Sequence, residues 1–352
     1  MKKKIKILEL CTRDGMHALR HKLPVSEMAE ICREMDSVGV DSIEFGHGNG
    51  LAGSSFQYGF APNTDLEYIR AVSKVVTKTP LSIIIIPGIG TRDELQAAKD
   101  HGVKIARLCT EMTENDIAQQ HIGMAREMGF ETRAALPRPK ALSVEECVFY
   151  AKRSESYGAQ VVYIMDGGGS MLPNDVYERT KAMREALLPE TEIGLHAHNN
   201  LQLAVANSIA AVEAGATHID CCMKGMGAGA GNCPTEIFAA VMDRMGYETG
   251  VDLYRAMDVA DEVIKPLFAR MISPMTFDKD TLMLGYAGTY SSFLLFAKRA
   301  AARYGVDARD VIREMGERGC TEGQENLCIE CAYDLAKARG LEVPTTFSAD
   351  NF

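Results

Sequence analysis

The chain has 352 residues, 46% hydrophobic and 24% charged, a balance that supports a large buried core and excludes a disordered polypeptide. Its formal charge of −10 argues against nonspecific nucleic-acid or anionic-membrane binding, both of which need basic patches. No apolar run approaches the length of a membrane span, and the basic run Lys2-Lys3-Lys4 lacks the apolar segment of a signal peptide. Ten cysteines without regular spacing fit a reducing compartment better than a disulfide scaffold, so a cytoplasmic protein is expected. Cys328 and Cys331 have zinc or redox spacing, but no second pair lies near them and their segment reads as helix.

Eight short apolar runs, at 5–11, 42–46, 81–87, 105–110, 131–136, 161–165, 193–198 and 219–223, alternate with amphipathic helical patterns. Near-continuous apolar strands separated by helices indicate parallel strands buried on both faces, and eight such units close into a (β/α)8 barrel. Helix-start signals agree: Ser26 opens the first helix, Thr91 precedes 92–102, Thr113 precedes 114–129, and Ser143 with Glu146 forms a capping box. A barrel needs about 250 residues, which places its end near 265 and leaves 266–352 as a small helical domain. Beyond the eighth strand 253–269 reads as helix, 271–280 as turns, 291–304, 307–316 and 323–339 as three further helices, and the residues after Leu341 as a fraying end.

In such a barrel the active site forms at the carboxyl ends of the strands, and chemically distinctive residues collect there. Arg13, Asp14 and His17 follow the first strand, Glu44 and His47 end the second, Asp166 follows the sixth, His196 and His198 end the seventh, and the glycine-rich loop 225–232 follows the eighth. Alternate residues of a strand share a face, so His196 and His198 aim at a common point. With Asp14 they offer two imidazoles and a carboxylate, a set that holds a divalent ion and leaves positions open for substrate. His17 lies near enough to titrate a group on a substrate at that ion, and Arg13 suits a carboxylate or an enolate charge. The loop 225–232 does not fit the dinucleotide fingerprint, because no ribose-binding acid follows it in a βαβ unit. Its glycines read as permitting close backbone approach, with Asn232 a contact to substrate or to a ligand residue.

The stretches Thr12-Arg-Asp-Gly-Met-His17-Ala-Leu-Arg-His, Gly46-His-Gly-Asn-Gly-Leu-Ala-Gly-Ser-Ser-Phe-Gln-Tyr-Gly-Phe60, Leu195-His-Ala-His-Asn-Asn-Leu, Gly225-Met-Gly-Ala-Gly-Ala-Gly-Asn232 and Leu284-Gly-Tyr-Ala-Gly-Thr-Tyr-Ser-Ser-Phe293 together resemble the 4-hydroxy-2-oxovalerate aldolases, metal-dependent pyruvate aldolases built on a TIM barrel. The resemblance implies that Asp14, His196 and His198 hold manganese or a similar ion (Mg2+, Co2+ or Zn2+). It further implies that Arg13 stabilises the pyruvate enolate, that His17 acts as base on the 4-hydroxyl, and that a tyrosine of 285–290, expected to be Tyr286, assists. Substrate contacts are expected from Arg13, His47, Gly167, Arg138 and Asn232. The helical domain of that family docks an acylating aldehyde dehydrogenase, to which Gly323-Gln-Glu-Asn326 corresponds, and a homo-oligomer is also expected.

Departures from the family pattern fall where substrate should sit. Asp166-Gly167-Gly168 replaces Asp-Ser-Gly, Thr110-Glu111 replaces Thr-His, Leu136-Pro-Arg-Pro-Lys140 replaces a segment with a histidine, and Asn49 replaces an aspartate. The expected reaction is reversible cleavage of a 4-hydroxy-2-oxo acid to pyruvate and an aldehyde, with Arg138 and Lys140 open to an anionic substrate group. The alternative is a Claisen-type synthase or another lyase of the same barrel group acting on an acyl-CoA. A noncatalytic scaffold barrel is disfavoured by the retention of Arg13, Asp14, His17, His196 and His198 at one rim.

Overall fold

Each expected apolar run becomes a strand: β1 Lys6–Glu9, β2 Ser42–Glu44, β3 Leu81–Ile85, β4 Ile105–Cys109, β5 Glu131–Pro137, β6 Val161–Asp166, β7 Glu192–Ala197 and β8 His218–Cys221. The computed structural model describes residues 3–271 and 277–343. All neighbouring pairs are parallel, and β1 pairs with both β2 and β8, so the sheet closes in the order β1 to β8. Every residue of β3, β4, β6 and β8 is buried, as expected for strands enclosed by side chains within and helices without.

The helices follow their local chemistry, with informative exceptions. Thr91 with Glu94 and Ser143 with Glu146 form capping boxes, and so do Thr64 and Glu67. The first long helix, Val25–Met35, begins at a Pro24 cap, so Ser26 lies inside it and does not open it. Residues 112–117 wind as a tight 3-10 segment before the α-helix Ala118–Glu127. The stretch 253–270 is helical but changes winding twice, passing through a π-helical turn at Val259–Ile264 into 3-10 geometry at Lys265–Arg270, where Pro266 supplies no backbone N–H.

The carboxyl-terminal helices are Lys279–Ala287, Leu294–Tyr304, Ala308–Glu317 and Leu327–Ala338. The first was not expected from the sequence; Asp278 caps its start and Gly288, with a positive φ of 68°, ends it. These helices pack around a core of their own that includes Leu284, Phe293, Val311, Ile312 and Met315. Cys328 and Cys331 belong to that core, and all ten cysteines are buried and free. Of the turn expected at 271–280, residues 272–276 lie outside the described residues and 279–280 instead begin a helix, while the fraying end expected after Leu341 lies outside them from 344 on. No helix among the described residues is long and apolar enough to cross a membrane.

The helical segment seats directly on the barrel's carboxyl-end rim. Gly167 at the end of β6 accepts from the backbone N–H and hydroxyl of Ser291 at 3.0 and 2.8 Å, and Asn200 donates to the Ser291 hydroxyl at 2.8 Å. Asn49 donates to Glu322 at 2.8 Å, and Gln57 to Glu325 at 2.8 Å. The two cores are thereby joined at the end of the barrel where the chemistry gathers.

Inside the barrel, packing is tight enough to test. A Cβ on Gly194 of β7 would lie 2.4 to 2.7 Å from three atoms of the Tyr163 ring, which itself stacks under Arg107 at 4.6 Å. Gly194→Ala is therefore expected to cost about 1–3 kcal/mol in urea unfolding, the usual penalty for overpacking a filled interior.

Candidate metal centre and active site

The strand ends aim three donors at one point. After β1 the backbone turns sharply, Leu10 accepting from the N–H groups of Arg13 and Asp14 at 3.0 and 2.8 Å, which tips Asp14 over the barrel mouth. Glu9 fixes this turn to the segment that follows the adjacent strand β8 by accepting from the N–H groups of Cys11 and Met223 at 3.1 and 3.0 Å and from the Thr235 hydroxyl. At the end of β7, His196 and, one residue past the strand, His198 flank Ala197 and share a face. Their Nε2 atoms are 3.1 Å apart, and Asp14 Oδ2 lies 3.7 Å from one and 3.6 Å from the other. All three residues are at least nine-tenths buried.

The far ring nitrogens decide what these Nε2 atoms can do. His196 Nδ1 is 3.0 Å from a carboxylate oxygen of Asp220, and His198 Nδ1 is 3.2 Å from the carbonyl of Ala228. Both partners only accept, so each Nδ1 carries the proton and each neutral ring turns an Nε2 lone pair inward. Burial pushes the His198 imidazole down to about 4, which keeps it neutral. Burial opposes ionisation of Asp14, but the adjacent Arg13 guanidinium outweighs it and holds the carboxyl well below its ordinary range. Two lone pairs facing each other beside a carboxylate repel unless a cation lies between them. This donor set fits a divalent ion.

A buried charge network supports it from below. Arg107 donates to both oxygens of Glu44 at 3.2 Å and to Asp220 at 2.7 Å, and Glu44 also accepts from Arg13 Nε at 2.9 Å. Arg13 in turn donates to Asp14 at 3.1 Å. The partner of His196 and the neighbour of Asp14 are therefore tied through one guanidinium. Asn232 donates to Asp14 Oδ2 at 2.6 Å, and a Cβ on Gly227 would lie 1.7 Å from its amide oxygen, so only glycine lets the 225–232 loop come this close.

The cavity over these residues is about 50 Å3 and is lined also by Arg13, His17, Gly167, Tyr290 and Glu322. His17 Nε2 is 3.9 Å from Asp14, and among the described residues Arg13 Nη2 is buried without a partner. Three expected contacts are placed elsewhere. Tyr286 is 78% exposed on the outer side of its helix, whereas Tyr290, four residues on, is buried in the cavity wall with its hydroxyl donating to Glu111. His47 is fully buried away from the cavity, stacked on His21 at 3.8 Å and using both ring nitrogens, one on the Gly59 carbonyl at 3.0 Å and one on the Asn49 N–H at 3.1 Å. Arg138 and Lys140 line a separate cavity of about 180 Å3 on the other side of Gly167 and Tyr290, with Lys140 paired to Asp175 at 2.5 Å. Sequence reasoning passed over Arg107, Asp220 and Glu322. A charged residue inside the apolar run 105–110 was a signal for the first, while Glu322 comes from a loop that only the folded helical segment brings here. Its carboxyl is pushed up to about 7, by burial first and then by the charges of Glu325 and Glu111.

A parallel eight-stranded barrel carrying a buried Asp-His-His set at its rim defines a class of metal-dependent barrels. Residues 4–263 match the HMGL-like family and residues 275–337 the DmpG-like communication domain. Curated proteins named 4-hydroxy-2-oxovalerate aldolase from Desulfitobacterium hafniense, Carboxydothermus hydrogenoformans and Pseudomonas putida are 58%, 48% and 47% identical, each over 96% of this chain and 100%, 99% and 96% of their own lengths. This chain belongs to the HMGL-like family and, within it, to the 4-hydroxy-2-oxovalerate aldolase group. The carboxyl transferase domain of Rhizobium etli pyruvate carboxylase, solved with pyruvate and biocytin, shares the fold at a TM-score of 0.83 and 15% identity, over 96% of this chain and 61% of that one.

Arg107→Met strands Glu44 and Asp220 as buried charges, for which a loss of about 3–5 kcal/mol in chemical unfolding is expected. The same substitution should weaken divalent-metal affinity about 10–100-fold in an equilibrium titration, because Asp220 then no longer fixes the His196 ring.

Proposed function

We propose that this chain is a divalent-metal-dependent aldolase, a carbon–carbon lyase that reversibly cleaves a 4-hydroxy-2-oxo acid into pyruvate and an aldehyde. The reading rests on one observation above all: two inward Nε2 lone pairs and the Asp14 carboxylate share a cavity wall with the unpartnered Arg13 Nη2 and with His17. We assign Asp14, His196 and His198 as ligands of manganese; Mg2+, Co2+ and Zn2+ fit the same donors. When bound, the divalent ion supplies positive charge that polarises the 2-oxo group.

The chain's own residues account for the rest. His17 takes the proton of the 4-hydroxyl, and burial, which holds its pKa below the ordinary value, leaves it with a free lone pair. As the oxygen forms the aldehyde carbonyl, the C3–C4 bond breaks and its electron pair passes into the pyruvate enolate. Arg13 Nη2 meets the charge that develops there, and protonation at C3 then releases pyruvate. Tyr290 replaces Tyr286 as the assisting tyrosine, because Tyr290 lines the cavity and Tyr286 is at the surface. Gly167 keeps the wall under Tyr290 thin, since a Cβ there would lie 3.0 Å from the ring.

We further propose a catalytic barrel over 1–265 and a helical domain over 266–352 that docks an acylating aldehyde dehydrogenase, a reading supported by the communication-domain match. Ten buried free thiols suit a cytoplasmic enzyme.

Pyruvate release from 4-hydroxy-2-oxovalerate should be abolished by a chelator and restored by Mn2+; release that persists after complete metal removal contradicts the reading. His17→Ala should lower kcat about 10²–10⁴-fold with metal still bound. Tyr290→Phe should lower kcat/KM about ten-fold or more, the worth of a charge-assisted hydrogen bond, while Tyr286→Phe leaves it unchanged.

A further inference from the structure

Cleavage of a 4-hydroxy-2-oxo acid leaves an enolate whose C3 needs a proton. Asp14, His196 and His198 present lone pairs, Arg13 keeps its protons, and His17 is engaged at the 4-hydroxyl. The cavity over these residues is only about 50 Å3, so a substrate carbon in it lies against the walls. Five other side chains of the wall carry a transferable proton: Cys109, Tyr290, Ser291, Ser292 and Glu322. Four of them are poor donors. Tyr290 already donates to Glu111, and burial lifts its hydroxyl well above the ordinary range. Burial likewise pushes the Cys109 thiol up. Ser291 donates to the Gly167 carbonyl at 2.8 Å, and a serine hydroxyl, that of Ser292 included, does not ionise near neutral pH, where a proton-transfer group works best.

The fifth, Glu322, is built into place. It sits in the loop between the helices Ala308–Glu317 and Leu327–Ala338, where the chain turns at Gly323 with a φ of 94° that favours glycine. Glu325, buried, clamps that turn to the barrel by accepting from the Gly323 N–H at 3.2 Å and from the Gln57 amide at 2.8 Å. Asn49 donates to Glu322 Oε1 at 2.8 Å, so one oxygen is fixed by a neutral amide. Among the described residues no cation pairs with this carboxyl, and Oε2 has no hydrogen-bond donor. The charged groups facing it are Arg13 and Asp14 from the turn after β1, Glu111 from beyond β4 and Glu325 from its own loop. Burial first, then the charges of Glu325 and Glu111, push the Glu322 carboxyl up to about 7. A carboxyl in that range gives a proton and takes one back at the same pH.

We propose that Glu322 is the proton donor and acceptor at C3, a catalytic residue that the helical segment adds to the barrel's own. In cleavage the Glu322 O–H bond breaks and its electron pair stays on the carboxylate, while the enolate's carbon–carbon pair forms the new C3–H bond of pyruvate. Water then returns a proton to Glu322 as His17 gives up the one taken from the 4-hydroxyl, so the cycle closes without net proton change. In condensation the Glu322 carboxylate takes the proton from the methyl group of pyruvate. The two proton transfers are thereby divided between the two parts of the chain, His17 of the barrel serving C4 and Glu322 of the helical segment serving C3. The inference rests on the aldolase reading, and its test separates the two.

Transfer at C3 is measured without any aldehyde, by incubating Mn2+-loaded enzyme with pyruvate in D2O and following deuterium in the recovered pyruvate by mass spectrometry. The wild type is expected to exchange the methyl hydrogens. Glu322→Gln, of the same shape and still able to accept from Asn49, should slow exchange about 10²–10⁴-fold with Mn2+ binding and urea unfolding unchanged. His17→Ala should lose cleavage yet keep exchange. Glu322→Asp, one methylene shorter, should retain part of the rate and show a larger primary isotope effect with methyl-deuterated pyruvate in condensation with acetaldehyde. Undiminished exchange in Glu322→Gln overturns the inference and leaves the aldolase reading standing. If Glu322→Gln also loses metal or stability, Glu322→Asp decides: a raised isotope effect supports the inference, and a lower rate with an unchanged isotope effect marks a structural role and overturns it. Exchange that depends on Glu322 in an enzyme that cleaves no 4-hydroxy-2-oxo acid refutes the aldolase reading alone. Absence of exchange in the wild type overturns the inference.

Discussion

The buried guanidinium of Arg107 is the constraint around which the site is built. It lies inside the barrel over the Tyr163 ring and joins Glu44 of β2 to Asp220 of β8. Both carboxylates are fully buried, and burial penalises an unpaired charge by several kcal/mol. Shared between them, one cation lets Glu44 orient Arg13 and lets Asp220 fix the ring of His196. The network contributes arrangement more than stability: a hydrophobic barrel interior would hold the strands together as well, but would leave the rim residues free to turn.

From that layer upward each position has a local cause. A two-residue period on β7 faces both imidazoles inward, hydrogen-bond acceptors at their Nδ1 atoms turn the lone pairs toward Asp14, and glycine at 227 permits the loop carrying Asn232 to close against the same carboxylate. The helical segment supplies the remaining wall. Tyr290 and Glu322 reach the cavity only because Ser291 and Asn49 bind the two units together at the barrel mouth. The helical segment and the Asp14, His196 and His198 cluster therefore line one cavity.

The eight strands and the residues at their ends were legible because burial on both faces writes a continuous apolar run, and because polar residues just after such runs are rare unless they work. His196 and His198 could be placed together from spacing alone. What the sequence did not disclose depends on helix phase and long-range contact. Tyr286 and Tyr290 are one helical turn apart in number, but the chain turns at Gly288, so one faces solvent and the other the cavity. His47 lies near a strand end like His196 and His198, yet its ring is turned away by stacking on His21. Ser26 resembles a helix cap, but Pro24 begins that helix earlier. Glu322 reaches the centre from the far end of the chain, a contact without local signature.

The central claim is that Asp14, His196 and His198 form one cation site whose shape the buried network sets. Equilibrium binding of Mn2+, followed by loss of the free-ion electron paramagnetic resonance signal, tests it most directly. The account predicts one ion bound per chain, loss of that binding in Asp14→Ala and in His198→Ala, and weakened binding in Asp220→Ala, which touches the ion only through His196. Unchanged Mn2+ binding in Asp14→Ala and His198→Ala would contradict it.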